Sequence, residues 1–196
     1  MNDGLSLLAQ HPGVPRHLLT VEDYHRMGEA GILGPNDRVE LIEGELVEMA
    51  PIGSEHAASS NALGHLLYGA VGERAIVAAQ NPVRLRPRNE PQPDFSILKL
   101  RPHGYYRSTL PTAEDVLLVA EVADSSLGYD KGPKLKLYAR HGIPEVWIIN
   151  LAAQEVEVYR TPEGDRYTSG VRVAPSGTLT IEALPGISIP AAPIFE

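Results

Sequence analysis

The feature that most limits how this chain can fold is the run DVLLVAEVA, residues 115–123, followed by a helical stretch and then by EVWIIN, residues 145–150. The unbroken apolar stretch from Val116 to Val119 predicts a strand covered on both faces, as in the centre of a mixed sheet. Lys134 to His141 reads as a helix, with Pro133 near its first turn and Gly142 just past its end, the usual asymmetry of helix starts and stops. A strand, a helix and a strand in that order imply a βαβ unit with a right-handed crossover. The expected class is therefore α/β (α+β), a mixed central β-sheet flanked by helices.

The rest of the chain fits around that unit. Thr20 reads as the N-cap of a helix through about Ala30, with Asp23 as its capping-box partner and Gly31 as its stop. RVELIEGELVEM predicts a hairpin turning at Glu43 and Gly44. Ser54 is the expected cap of a long amphipathic helix in which Leu63, Leu66, Leu67 and Ala70 recur at helical spacing. AIVAAQ, PVRLRPR and PDFSILKL read as three strands before DVLLVAEVA, and EVEVYR, RYTSG and TLTIEAL as short antiparallel strands after EVWIIN. No repeat or linker divides residues 1–196, so one domain is expected, with residues 1–19 as a loosely ordered arm.

Composition narrows the chemistry. The chain has no cysteine, which excludes disulfides, thiolate catalysis and Cys-type zinc sites and leaves oxygen or imidazole as metal ligands. No apolar stretch approaches the roughly 20 residues needed to span a bilayer, and the N-terminus lacks the pattern of a signal peptide, so a soluble, cytoplasmic protein is expected. A net charge of −8 argues against a protein that coats nucleic acid, because nonspecific affinity comes largely from Lys and Arg at phosphates. A local basic groove stays possible, since Arg84, Arg86, Arg88, Lys99, Arg101 and Arg107 cluster in mid-chain. Alternation along PVRLRPR would put Arg84, Arg86 and Arg88 on one strand face, either lining a phosphate groove or simply solvated.

Two acids interrupt otherwise apolar strands, Asp94 in PQPDFSILK and Glu121 in LLVAEVADSS. A carboxylate is costly to bury there unless a cation or hydrogen-bond donor compensates it. If the two strands pair antiparallel, Asp94 at the start of one meets Glu121 near the end of the other; parallel pairing would separate them by about a strand length. Two carboxylates, with waters and phosphate oxygens, are what Mg2+ commonly takes, and Mn2+ suits the same ligands. Lys134, opening the next helix, is the candidate ammonium for orienting water or stabilising charge. The plainer reading makes Asp94 a turn cap, Glu121 the partner of an arginine and Lys134 an exposed helix residue.

The ordered series LTVEDYHRM, RVELIEGELVEMAPIGSEH, QNPVRLRPRNEPQPDFSIL, LVAEVADSSLGYDKGPKLKLYARHGIPEVWIIN and LPGISIPAAPIFE resembles the Uma2 family of restriction-endonuclease-like proteins, within the PD-(D/E)xK nuclease superfamily. That resemblance implies a restriction-endonuclease-like sheet, a divalent cation and hydrolysis of DNA. It maps Asp94 onto the motif's first acid and Glu121 onto its second. The motif's lysine would fall at Ala123, and the family pattern moves that role onto Lys134, beyond a tight turn expected at Gly128 and Asp130. It also makes Glu40 a candidate metal contact, direct or through water, His56 a candidate metal or substrate contact and Gln80 a candidate contact to water or phosphate; strand alternation adds Arg84 and Arg86 as candidate substrate contacts. Tyr105 and Tyr106 either stack on a base or pack on the sheet.

The leading expectation is a Mg2+-dependent endodeoxyribonuclease, with DNA as substrate. Cleavage of two strands by a one-site domain would favour a two-fold homodimer. A catalytically silent interaction module and a hydrolase of smaller phosphodiesters are the competing expectations.

Overall fold

The computed structural model describes residues 14–34 and 36–196; most of the arm expected over residues 1–19 lies outside them. The first element is α1 (Val21–Glu29), whose N-cap Thr20 accepts from the Asp23 backbone N–H while the Asp23 carboxylate accepts from Thr20 N–H, the capping box expected. Next come β1 (Val39–Ile42) and β2 (Glu45–Glu48), paired antiparallel. Glu43 and Gly44 carry them round with φ of 51° and 82°, two left-handed residues in the type I′ manner. A side chain at position 44 would also sit 2.9 Å from the Leu19 carbonyl oxygen.

Helix α2 (Ser54–Val71) follows. Its N-cap is Gly53 rather than Ser54, with no side-chain cap, so the expected cap lies one residue inside the helix. A six-stranded sheet then runs in the order β3-β4-β5-β6-β7-β8, made by β3 (Ile76–Ala79), β4 (Phe95–Leu98), β5 (Val116–Ala123), β6 (Glu145–Asn150), β7 (Glu155–Glu163) and β8 (Arg166–Val173). Only β5 and β6 pair in parallel; the other neighbours are antiparallel. Short α3 (Tyr105–Ser108) lies between β4 and β5, where Tyr106 packs at the edge of the core.

The βαβ crossover is more continuous than its sequence suggests. Instead of a tight turn at Gly128 and Asp130, the chain is helical from α4 (Leu127–Tyr129) through a π-helical turn, Asp130–Lys134, into α5 (Leu135–Arg140). Gly142, with φ of 70°, ends it. PVRLRPR also departs from its expected strand: Arg84 and Leu85 make isolated bridges and residues 86–88 turn. Prolines at 82 and 87 supply no N–H for a ladder. TLTIEAL keeps only β9 (Thr178–Leu179), paired with β10 (Ile189–Pro190).

Both faces of β5 are covered. Leu118, Ala120 and Val122 pack with Leu63, Leu67 and Val71 of α2 and with the C-terminal Leu179, Ile187 and Ile189. Val119 and Ala123 face the other way, toward Leu137 and Tyr138 of α5 and Ile42 of β1. Glu121, two residues from each, shares their face. Its carboxyl therefore enters the layer between the sheet and the crossover helix.

Candidate active site

The β4–β5 register decides what Asp94 and Glu121 can share. Phe95 pairs with Ala120 in antiparallel sense, so Asp94, one residue before β4, stands beside Glu121. Asp94 Oδ2 accepts from Val122 N–H at 2.8 Å, and Asp94 N–H lies 3.4 Å from Glu121 Oε2. Gly64 of α2 helps hold β4 here, since its α-carbon lies against the Phe95 ring and a methyl there would stand 3.1 Å from it.

Lys134 comes back to these acids from the last residue of the π-helical turn. Its Nζ lies 3.0 Å from Glu121 Oε1 and 3.4 Å from Glu40 Oε2. One extra residue in a helical turn rotates the side chains that follow it, and such turns recur at functional sites. Lys134, Glu121 and Glu40 are each at most 4% exposed. The ammonium is a buried charge neutralised by buried charges, not the exposed helix residue of the plainer reading.

Hydrogen bonds fix the acids atom by atom. Glu121 Oε1 accepts from the Tyr138 hydroxyl at 2.5 Å as well as facing Lys134. Glu40 Oε1 accepts from the Tyr129 hydroxyl and Oε2 from Gln92 N–H, both at 3.0 Å. The His56 imidazole meets Asp94 Oδ2 at 3.3 Å through Nε2, while its Nδ1 faces Ser60 Oγ. Asp130 accepts from Ser126 Oγ at 2.6 Å. Among the described residues Asp94 Oδ1 has no donor, and Glu121 Oε2 has only the long 3.4 Å contact from Asp94 N–H.

The charge balance is negative. The cleft is lined by six carboxylates, Glu40, Glu48, Asp94, Glu121, Asp124 and Asp130, against Lys134, Arg38 and the His56 ring. Burial pushes the Glu121 carboxyl up to about 8, against the pull of Lys134 and with Asp130 and Asp94 adding to the rise. Burial likewise raises Asp130. Burial alone would lower Lys134, but Glu121, Glu40 and Asp130 outweigh it and hold the ammonium above its ordinary range. The hydrogen bond to Asp94 raises His56.

Such a site suits a positive charge. Among the described residues no group of three or more His, Cys, Asp or Glu is already arranged to hold a metal ion. A hard cation that keeps several waters needs only one or two carboxylates, and Asp94 Oδ1 and Glu121 Oε2 are oxygens of that kind. The donor set therefore fits such an ion.

Five of the expected residues, Asp94, Glu121, Lys134, Glu40 and His56, line this one cleft; Gln80, Arg84 and Arg86 do not. Gln80 follows β3 with φ of 51° and donates its backbone N–H to the Asp94 carbonyl, bracing the strand end while the residue is exposed. Arg84 Nε pairs with buried Glu90 at 2.9 Å, and His25 meets the same carboxylate. Arg86 pairs with Glu22 of α1 at 3.1 Å. The expected arginine face fails because its strand does not form and two of its guanidinium groups are held by acids.

Sequence reading missed Tyr138, Tyr129 and the Gln92 backbone. Tyr138 lies four residues after Lys134, the spacing that puts two side chains on one helix face, so a signal existed. Tyr129 reaches Glu40 across 89 positions of sequence, and no local pattern announces that contact.

A mixed sheet whose antiparallel β4–β5 pair brings two acids together, with a crossover helix returning an ammonium to them, has the architecture of a nuclease-like fold. The chain belongs to the Uma2 family: the family model described as "Putative restriction endonuclease" matches residues 21–192. Among solved structures it is similar to "a putative nuclease belonging to DUF820" from Anabaena variabilis, with a TM-score of 0.71 and 16% identity over 90% of this chain and 97% of that one. At that identity the likeness speaks to the fold. No curated protein matches the chain. Among the described residues no helix is long and apolar enough to cross a membrane.

Proposed function

We propose that this chain is a Mg2+-dependent endodeoxyribonuclease that hydrolyses DNA phosphodiester bonds in one step with water. The observation that carries the reading is the return of the Lys134 ammonium to within 3.0 Å of Glu121, which supplies the charge that Ala123 lacks. Asp94 Oδ1 and Glu121 Oε2 would hold the ion. When bound, Mg2+ would polarise the phosphoryl oxygens and make a neighbouring water more acidic; Mn2+ would serve in the same place.

The protein's own groups do the positioning. The Lys134 ammonium stands 3.0 Å from Glu121 and 3.4 Å from Glu40, and as a group with three N–H donors it would also serve a water or phosphate oxygen brought beside Glu121. Charge developing on phosphate in the transition state is stabilised by that fixed donor in a partly desolvated site. Glu40, with both oxygens already engaged, acts in this account by anchoring Lys134 rather than as the metal contact expected from the family pattern. His56 orients Asp94 instead of meeting substrate directly. Cytoplasmic location and a two-fold dimer are consistent with the proposed activity and are proposals with it.

The excess of carboxylates in the cleft favours a second reading, a silent module that binds a cation and a partner but does not cut. Cleavage of supercoiled plasmid separates the two. The nuclease reading predicts nicking with Mg2+, none with EDTA, and losses of about a hundredfold or more for Asp94→Asn and Glu121→Gln. Equal residual cleavage by wild type and both variants would point to contamination and end the nuclease reading. Cation binding without cleavage of any nucleic acid would favour the silent module.

A further inference from the structure

Building on the nuclease reading, we infer that Arg38 is the residue that grips the substrate, by holding a phosphate next to the scissile one. Apart from Lys134, Arg38 is the only Lys or Arg residue among the described residues that lines the cleft, and it lies two positions before Glu40, so strand alternation turns its side chain to the same face. Lys134 is buried and already engaged by Glu121 and Glu40. Arg38 is exposed and takes part in none of the ion pairs among the described residues. Other guanidinium groups are held elsewhere: Arg84 by Glu90, Arg86 by Glu22 and Arg140 by Glu43.

The backbone sets Arg38 at the mouth. It immediately precedes β1, and its carbonyl accepts from Met49 N–H at 2.8 Å, closing the base of the β1–β2 hairpin. Glu40, two residues on, reaches the bottom of the same cleft, while Met49 to Gly53 form a wall leading into α2. In a cleft lined by six acidic residues, against Arg38 and Lys134, a polyanion meets more repulsion than attraction. A guanidinium presents a rigid fork of donors that matches phosphate oxygens. Among the described residues Arg38 is thus the one cationic residue of the cleft outside any ion pair, and it draws the strand in at a single phosphate in place of a basic track.

The test measures binding and cleavage separately. A fluorescein-labelled single-stranded oligodeoxynucleotide is titrated with wild type, Arg38→Ala, Arg38→Lys and Arg172→Ala, with Ca2+ in place of Mg2+; Arg172 lies on β8, away from the cleft. Arg38→Ala is expected to weaken binding about tenfold and to flatten the salt dependence by about one phosphate contact. Arg38→Lys should recover part of the affinity, and Arg172→Ala should match wild type. In Mg2+, Arg38→Ala should raise KM by a similar factor with kcat within about twofold, since uniform binding is what it removes. Unchanged affinity and salt slope in Arg38→Ala overturn the assignment, as does a wild type that binds no oligonucleotide. Binding that depends on Arg38 without any cleavage keeps Arg38 as a phosphate contact, but ends the nuclease reading and with it the placing of that phosphate beside a scissile one.

Discussion

Lys134 Nζ lies 3.0 Å from Glu121 Oε1 although the two residues come from different elements, one from a π-helical turn and the other from the central strand. Ala123, on the same strand face as Glu121, is where the nuclease motif would place its lysine. If what matters is the position of the ammonium and not its point of attachment, Ala123→Lys should partly restore activity to Lys134→Met. We expect the double variant to cleave plasmid at least about tenfold faster than Lys134→Met alone, part of the contribution of a fixed charge-stabilising donor. No recovery in a double variant that still folds, as judged by circular dichroism, would show that the strand position cannot serve this site.

Tyr138 is fully buried and donates to the same Glu121 oxygen that faces Lys134. Partners of this kind orient a ligating group, and their loss commonly costs about 10- to 100-fold in metal affinity or activity. Tyr138→Phe keeps the ring and removes only the hydroxyl. Mn2+ affinity measured by electron paramagnetic resonance should fall by about tenfold. An affinity within error of wild type would make the hydroxyl a packing feature only.

Arg84 neutralises Glu90, which is 3% exposed, so its removal leaves a buried carboxylate with only the His25 ring beside it. Arg84→Ala should therefore lower unfolding free energy by about 2–4 kcal/mol, toward the range for breaking a buried pair. Oligonucleotide affinity and its salt slope, measured on the folded variant, should not change. A flattened salt slope with little loss of stability would return Arg84 to the substrate groove.

Asp115 sits at the foot of β5 and bears on acid stability. Burial alone would raise its carboxyl, but hydrogen bonds from Thr112 and the Arg101 guanidinium outweigh that and hold it below the ordinary 3.8. A depressed carboxylate contributes stability that is present above its unfolded value and lost as pH falls through the folded one. The contribution should therefore be complete near neutrality and decline below about pH 4. Urea midpoints should show Asp115→Asn less stable than wild type at pH 7, with the gap narrowing at pH 3. A gap independent of pH would mean that the carboxylate charge has no part in it.

The βαβ unit, the Glu43–Gly44 hairpin and the Thr20 capping box were legible because each rests on a local pattern: an apolar run, a turn pair, a cap and its partner three residues on. The meeting of Asp94 and Glu121 was legible only as a condition on strand direction, which the pairing of Phe95 with Ala120 fulfils. What escaped depends on distant residues. Arg84 alternates with apolar neighbours like a strand residue, yet buried Glu90 and two prolines decide its fate. The π-helical turn that aims Lys134 carries no period of its own. It forms where the crossover helix meets three buried acids, Glu40, Glu121 and Asp130, around one ammonium.

The central claim is that the ammonium of Lys134 serves the chemical step while Asp94 and Glu121 serve the cation. Single-turnover cleavage at saturating Mg2+, paired with Mn2+ affinity, tests it in one variant, Lys134→Met, which keeps side-chain bulk. The rate should fall by about a hundredfold or more, the scale of losing one preorganised charge-stabilising donor, with Mn2+ affinity within about threefold of wild type, a change of about 0.7 kcal/mol at most. An unchanged single-turnover rate in the folded variant would contradict it.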